Sequence, residues 1–144
     1  MKAYHFVKDT LRDGTPIPKD GEWLEVVPPL KMCERGLHAS LHPMDACRYA
    51  PGSILCYVEL GGEMLHQEDK VCAQKRKIVA RFDATELLRA DARASARSVL
   101  HLWDAPEIVK RWLETGDESI RSAAYSAARS AARIPAWSAA CRPD

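Results

Sequence analysis

The chain has 144 residues, 47% of them hydrophobic and 28% charged, with 21 Lys+Arg against 20 Asp+Glu and a formal net charge of +1. That length fits one domain, which can bury about 68–70% of its unfolded surface without disulfide or metal staples. The even charge balance excludes a polyanionic mimic of nucleic acid. It also gives no global basic field to draw the chain onto DNA or a membrane.

The five cysteines are Cys33, Cys47, Cys56, Cys72 and Cys141. An odd number with no export signal in the opening residues predicts free thiols in a reducing cytoplasm. No segment approaches the ~18 apolar residues of a membrane span.

In chain order, Ala3–Lys8 predicts a first strand, with Tyr4 and Phe6 on one face and His5 and Val7 on the other. Asp13-Gly14 and Asp20-Gly21 mark turns. Trp23–Val27 alternates as a second strand, ended by Pro28-Pro29. Cys33–Ser40 reads as a short strand or extended segment. Pro43–Ala50 reads as a short helix, with Ser40 or His42 near its cap and Pro51-Gly52 as its stop. Ser53–Leu60 is apolar on both faces and predicts a covered central strand. Gly61-Gly62 then predicts a turn or bulge, and Lys77–Phe82 a last strand with Ile78, Ala80 and Phe82 facing inward.

From Asp83 the period becomes helical. Asp83 caps a helix whose buried stripe would be Leu88, Ala92, Ser95, Val99 and Leu102. Asp104 caps a second helix, with Pro106 in its first turn and Gly116 at its end. Asp117 caps a third that runs to about Arg133, before Pro135. The expectation is a single α+β domain over 1–144. A mostly antiparallel N-terminal sheet with one short helix fills 1–82, and a three-helix segment fills 83–144, with a soft seam near Asp83.

The third helix repeats every four residues, through Ser122-Ala123-Ala124-Tyr125, Ser126-Ala127-Ala128-Arg129 and Ser130-Ala131-Ala132-Arg133. Four residues advance a helix by about 400°, so Tyr125, Arg129 and Arg133 form a slowly winding ridge. Arg89, Arg93 and Arg97 form a second ridge at the same spacing. Alanine favours helix and arginine keeps a solvated face soluble, which is one reading of both. The other is docking onto an acidic partner. Acidic residues in both helical segments argue against direct binding of nucleic acid.

Cys33, His38, His42 and Cys47 are zinc-type donors. Their spacing matches no finger and lacks Cys-x-x-Cys, so packing explains them and no metal is assigned. There is no phosphate-cradling glycine loop, nucleophile elbow or metalloprotease helix. Glu63, Glu68 and Asp69 near His66 read as solvated carboxylates, and Lys75-Arg76-Lys77 as surface charge.

Three stretches together carry a likeness: Tyr4-His5, Gly36-Leu37-His38-Ala39-Ser40, and Ala46-Cys47-Arg48-Tyr49-Ala50 leading into Ile54–Leu60. Their order over about residues 3–60 resembles the small ADP-ribosyltransferase fold. The resemblance implies NAD as cofactor, His5 as ribose contact and His38 where that family has a nicotinamide-stacking tyrosine. The nucleophile-orienting glutamate would be Glu68, the nearest candidate. The whole chain also resembles small proteins of phages and prophages of GC-rich bacteria. Cys33-Glu34-Arg35-Gly36-Leu37-His38-Ala39-Ser40, the Arg48–Gly52 turn and the alanine-arginine tail carry that likeness. Some such proteins block host immunity, including CRISPR interference.

Two functions follow as expectations. The first is a phage- or prophage-type inhibitor that binds a bacterial defence complex or other host protein, with no cofactor. Its contacts would be Arg89, Arg93, Arg97, Arg129 and Arg133, with Trp137 or Trp112 as an aromatic anchor and the core as the expected place of Trp112. The second is an NAD-consuming modifier of a host or defence protein, built on His5, His38 and Glu68. A structural phage component is a third reading.

Overall fold

A computed structural model describes the backbone of residues 1–140 and the side chains of residues 1–132. The fold is α+β, with a five-stranded antiparallel sheet and four α-helices among the described residues. The chain divides into two compact units, Met1–Thr85 and Glu86–Asp144.

The first unit holds all five strands: β1 (Lys2–Val7), β2 (Trp23–Glu25), β3 (Leu37–Ala39), β4 (Ile54–His66) and β5 (Val71–Asp83). The short helix α1 (Pro43–Cys47) lies between β3 and β4. The sheet order is β1-β4-β5-β2, and β3 pairs with the other end of β5. Tyr4 and Ser40 exchange two backbone hydrogen bonds of 2.8 Å, so the residue after β3 joins β1. β1, β4, β5 and β3 therefore close a small ring. Inside it pack Ala3, Val7, Ala39, Cys56, Val58, Leu60, Val71, Ala73 and Ile78. β1 and β4 supply them by alternation, since Ala3 faces Val58 and His5 faces Cys56 across the pair.

The long β4–β5 hairpin departs from the expected strands. Gly61-Gly62 does not end β4. The glycines sit at a register irregularity between Gly61 and Met64, with Gly62 at φ 72°, and the strand runs on to His66. The reversal comes at residues 67–70. A bulge with positive φ bends a strand without terminating it. β5 also begins six residues earlier than expected, at Val71, and a register shift opposite Tyr57/Val58 turns its paired end over, so Phe82 is exposed, not inward-facing.

The second unit contains α2 (Thr85–Ser98), α3 (Glu107–Thr115) and α4 (Arg121–Ala140), with short 3-10 turns at Leu100–Leu102 and Glu118–Ile120. The Asp83 carboxylate accepts the Thr85 N–H at 2.9 Å, the expected cap of α2. α3 is capped at Pro106, with no side-chain bond from Asp104. Its end is Gly116 at φ 69°, whose N–H reaches the Trp112 carbonyl at 2.8 Å. Asp117 caps the 3-10 turn through Ser119. α4 passes through Pro135 to Ala140 and does not stop near Arg133. Val109, Leu113 and Ala124 form this unit's core, with Ala127, Ala128 and Trp112 packed against it. The small residues of the four-residue repeat thus let α4 approach α3 closely. The expected buried stripe of α2 is absent: none of its residues is buried, and Val99 and Leu102 beyond it are exposed.

Gly36 is the glycine the β unit cannot replace. Its φ is 138°, and a Cβ there would overlap the Cys72 sulfur. Gly14 has φ 85° but nothing within 4 Å. Gly36→Ala is expected to lower stability by about 3 kcal/mol, combining backbone strain with overpacking. Gly14→Ala should cost only about 1–2 kcal/mol of left-handed strain. Urea midpoints of the two variants check the order.

Candidate functional site

The ring brings His5 and His38 to one residue, Arg76. Arg76 lies in β5 opposite Leu60 of β4 and Leu24 of β2. It shares the inward face with Ile78, and only 6% of its surface is exposed. Its Nη1 donates to the His38 carbonyl at 2.5 Å. Among the described residues no carboxylate pairs with it. Burial pulls its pKa down to about 10, so it remains a cation at neutral pH.

His5 projects from β1 into the same region. Burial first, then the charge of Arg76 and the neighbouring His38, push its pKa from 6.5 to about 3. His38 is lowered in the same direction, by burial, Arg76 and Lys70. Both rings are neutral at pH 7, and the cluster carries one positive charge, on Arg76.

His38 has a second task. Its Nε2 accepts the Cys33 N–H at 3.0 Å, and the ring also bonds the Gly36 backbone. The segment it braces is a tight reversal in which Lys31 and Arg35 exchange two 2.8 Å backbone bonds. Cys33 sits there at φ 65°, its carbonyl accepts from Arg12 at 3.5 Å, and the Cys72 thiol reaches the Arg35 carbonyl at 3.4 Å. The Cys-Glu-Arg-Gly-Leu-His element is therefore a self-bracing turn. With both ring nitrogens held by backbone, His38 has none left for a metal, and no group of three or more His, Cys, Asp or Glu among the described residues is placed to hold one. His42 occupies the cap position of α1 without a side-chain bond, and Cys47 ends that helix half-buried.

Outside this turn, the exposed Cys33 thiol bonds Lys70, which raises the lysine's pKa. Lys70 also lies 4.7 Å from the centre of the Tyr49 ring, and the Tyr49 hydroxyl donates to Asp69. That bond holds the Asp69 carboxyl below its usual range. Glu68 is beside Asp69 in the β4–β5 reversal. It lines an open groove of about 690 Å³ with Asp45, Arg48, Gln67 and Asp69. Neither His5 nor His38 lines that groove, and Glu63 lies at the β4 bulge, where its N–H bonds Gln74. Among the described residues, Glu68 and Glu63 thus stand at the groove and at the β4 bulge.

The chain matches, over residues 1–90, the family model described as a domain of unknown function, DUF7666. It belongs to that family. No curated protein and no solved structure matches it. The DUF7666 match takes in every strand, the self-bracing turn and the His5–Arg76–His38 cluster, and ends within α2.

The arginine ridges divide. Arg89 pairs with Glu86 at 3.0 Å on the exposed face of α2. The Arg93 guanidinium lies against Gly116, in the space a side chain there would fill, where a cation suits the end of α3. Arg97 is exposed. Arg129 stands 5.8 Å over the exposed Tyr125 ring. The side chains of Arg133 and Trp137 lie outside the described residues. Trp112 is half in the core, as expected, and half in a groove between α3 and α4. That groove encloses about 580 Å³ and is lined by Val109, Trp112, Ala124, Tyr125 and Ala128, with Glu118, Arg121 and Ser122 at its polar side. Trp112 Nε1 is the one buried side-chain nitrogen or oxygen without a hydrogen-bond partner among the described residues. No sequence pattern signals this, because an orphaned N–H depends on what packs around the indole.

The lowered pKa of His5 has a measurable consequence. Between pH 6.5 and about 3 the unfolded chain holds a proton on His5 that the native protein does not. Its contribution to stability is therefore complete above pH 6.5 and falls as the pH drops through that window. His5→Gln removes the group. Urea midpoints at pH 7, 5 and 4 should decline less steeply in the variant than in the natural protein.

Proposed function

We propose that this DUF7666 protein is a binding protein, a phage- or prophage-type inhibitor that occupies a surface of a bacterial defence complex or other host protein. The β unit is its scaffold and the helical unit its contact surface. The observation that carries the reading is Trp112. A buried indole N–H without an acceptor costs about 1–3 kcal/mol, and the same side chain lines an apolar groove. A partner segment that packs on Val109 and Ala128 and draws the indole round toward one of its own carbonyls would recover that cost.

The remainder of the helical unit supports the same reading. Leu87 and Leu102 are each 71% exposed, Tyr125 is 64% exposed, and no residue of α2 is fully buried. Exposed apolar residues beside arginines are the composition of interface anchors. Arg97 and Arg129 favour an acidic partner surface. Such an inhibitor acts in the bacterial cytoplasm, where its thiols stay reduced; Cys33, Cys47, Cys56 and Cys72 are unpaired. No helix of the described residues is long and apolar enough to cross a membrane. Transferase chemistry needs a carboxylate beside His5; binding by occlusion needs none.

The tagged protein should recover a stoichiometric partner from bacterial lysate carrying active defence systems. Arg97→Glu with Arg129→Glu should abolish recovery and inhibition while leaving the thermal midpoint within a degree or two, since surface changes usually cost under about 0.5 kcal/mol. Trp112→Phe keeps an aromatic ring but removes the N–H and part of the indole, so it should weaken binding about three- to tenfold, with the urea midpoint measured alongside to separate any packing loss. Full inhibition by all of these variants would sink the assignment.

A further inference from the structure

The geometry points to a second binding site, separate from the helical unit: a recess in the strand ring where Arg76, flanked by His5, takes the oxyanion of a small phosphate-bearing ligand. The argument begins with a cost. A guanidinium has five N–H donors and a charge that cannot be shed at neutral pH. Arg76 is 6% exposed, stands on the inward face beside Ile78 and Leu60, and has one identified acceptor, the His38 carbonyl. No carboxylate neutralises it among the described residues. Replacing a buried charge by an apolar side chain of similar volume is often neutral or stabilising. An arginine kept in such a place without a counter-ion is a liability for folding alone, so the charge has another use.

The remaining donors have somewhere to point. Trp112 Nε1 is the one buried side-chain polar atom without a partner among the described residues. The Nε and Nη2 of Arg76 have no partner there either, so they must touch solvent. Arg76 is thus recessed and yet reachable, with a pair of N–H groups free for the two oxygens of an oxyanion. The largely buried His5 lies close enough to feel the Arg76 charge, and its neutral ring can donate one further hydrogen bond. The fully buried Cys56, opposite His5 across β1 and β4, adds no charge. One fixed cation, one neutral donor and apolar walls fit a single phosphate group, either the free ion or the terminal phosphate of a nucleotide. A dication has no ligand here, and a cationic ligand is repelled by Arg76.

The test titrates the full chain with inorganic phosphate and, separately, with adenosine monophosphate at constant ionic strength, read by thermal midpoint and calorimetry. Both natural protein and Arg76→Met are used. Saturable stabilisation of the natural protein is expected, with affinity at least tenfold lower in Arg76→Met. The variant should melt at or above the natural protein when no phosphate is present. Tighter binding of the nucleotide identifies an organic phosphate; equal or tighter binding of inorganic phosphate identifies the free ion; both support the site. No saturable binding by the natural protein, or equal binding by Arg76→Met, overturns it. If Arg76→Met does not fold, Arg76→Lys decides: it keeps the charge but loses the paired N–H geometry, so unchanged affinity overturns the proposal and a several-fold loss supports it.

Discussion

Two backbone hydrogen bonds between Tyr4 and Ser40, each 2.8 Å, hold the β unit in its shape. Without them β1 and β3 would be edge strands of an open sheet, with their backbone groups facing solvent. With them the strands close a ring, and residues far apart in sequence must share its interior. His5 arrives from β1, His38 from the end of the self-bracing turn, and Arg76 from the middle of β5. The ring is small, and Ala3, Ala39 and Ala73 are among the side chains of its apolar cluster. Burial of His5 and the depressed basicity of its ring follow from that closure.

Much of this was legible because strand and helix periods differ. The apolar run of β4 through Leu60, the strand β1 with its two faces, the cap at Asp83 and the stop at Gly116 all follow from local chemistry, and each stands where expected. The second half of the β4–β5 hairpin did not announce itself. Its residues include Glu63, Gln74, Lys75 and Lys77, which belong to a strand whose outer face is solvated, and Gly61-Gly62 has the composition of a turn. Two glycines can bend a ladder as readily as end it, and only the partner strand decides which.

Arg76 is the instructive case. Within Lys75-Arg76-Lys77 it reads as one of three surface cations. The alternation already assigned to Ile78 and Ala80, carried back by one pair, places Arg76 on the inward face and its lysine neighbours on the outer one. Lys75 indeed pairs with Glu25, and Lys77 with Glu59 and the Trp23 ring. The period held the information; the habit of treating a charge run as surface concealed it. The likeness to a transferase fold singled out His5 and His38, and the strand ring places both beside Arg76. The likeness could not supply the glutamate, because the β4–β5 reversal carries Glu68 to the groove beside Asp45 and Arg48.

The helical unit failed expectation in the opposite sense. The stripe on α2 has the spacing of a buried face, and the chain leaves it uncovered. Periodicity reports that a face is apolar, not that this chain covers it. The same logic connects two incompletely matched donors. Trp112 Nε1 lacks an acceptor in the helical unit, and the guanidinium of Arg76 lacks a counter-ion in the β unit. Native proteins leave few buried polar groups unsatisfied, and local rules tend to be broken where function requires it. One donor is neutral, on a side chain that lines an apolar groove, which suits a peptide carbonyl. The other is charged and recessed among strands, which suits a small anion. The chemistry of each donor, not its proximity to any motif, separates the proposed protein-binding surface from the proposed ligand site.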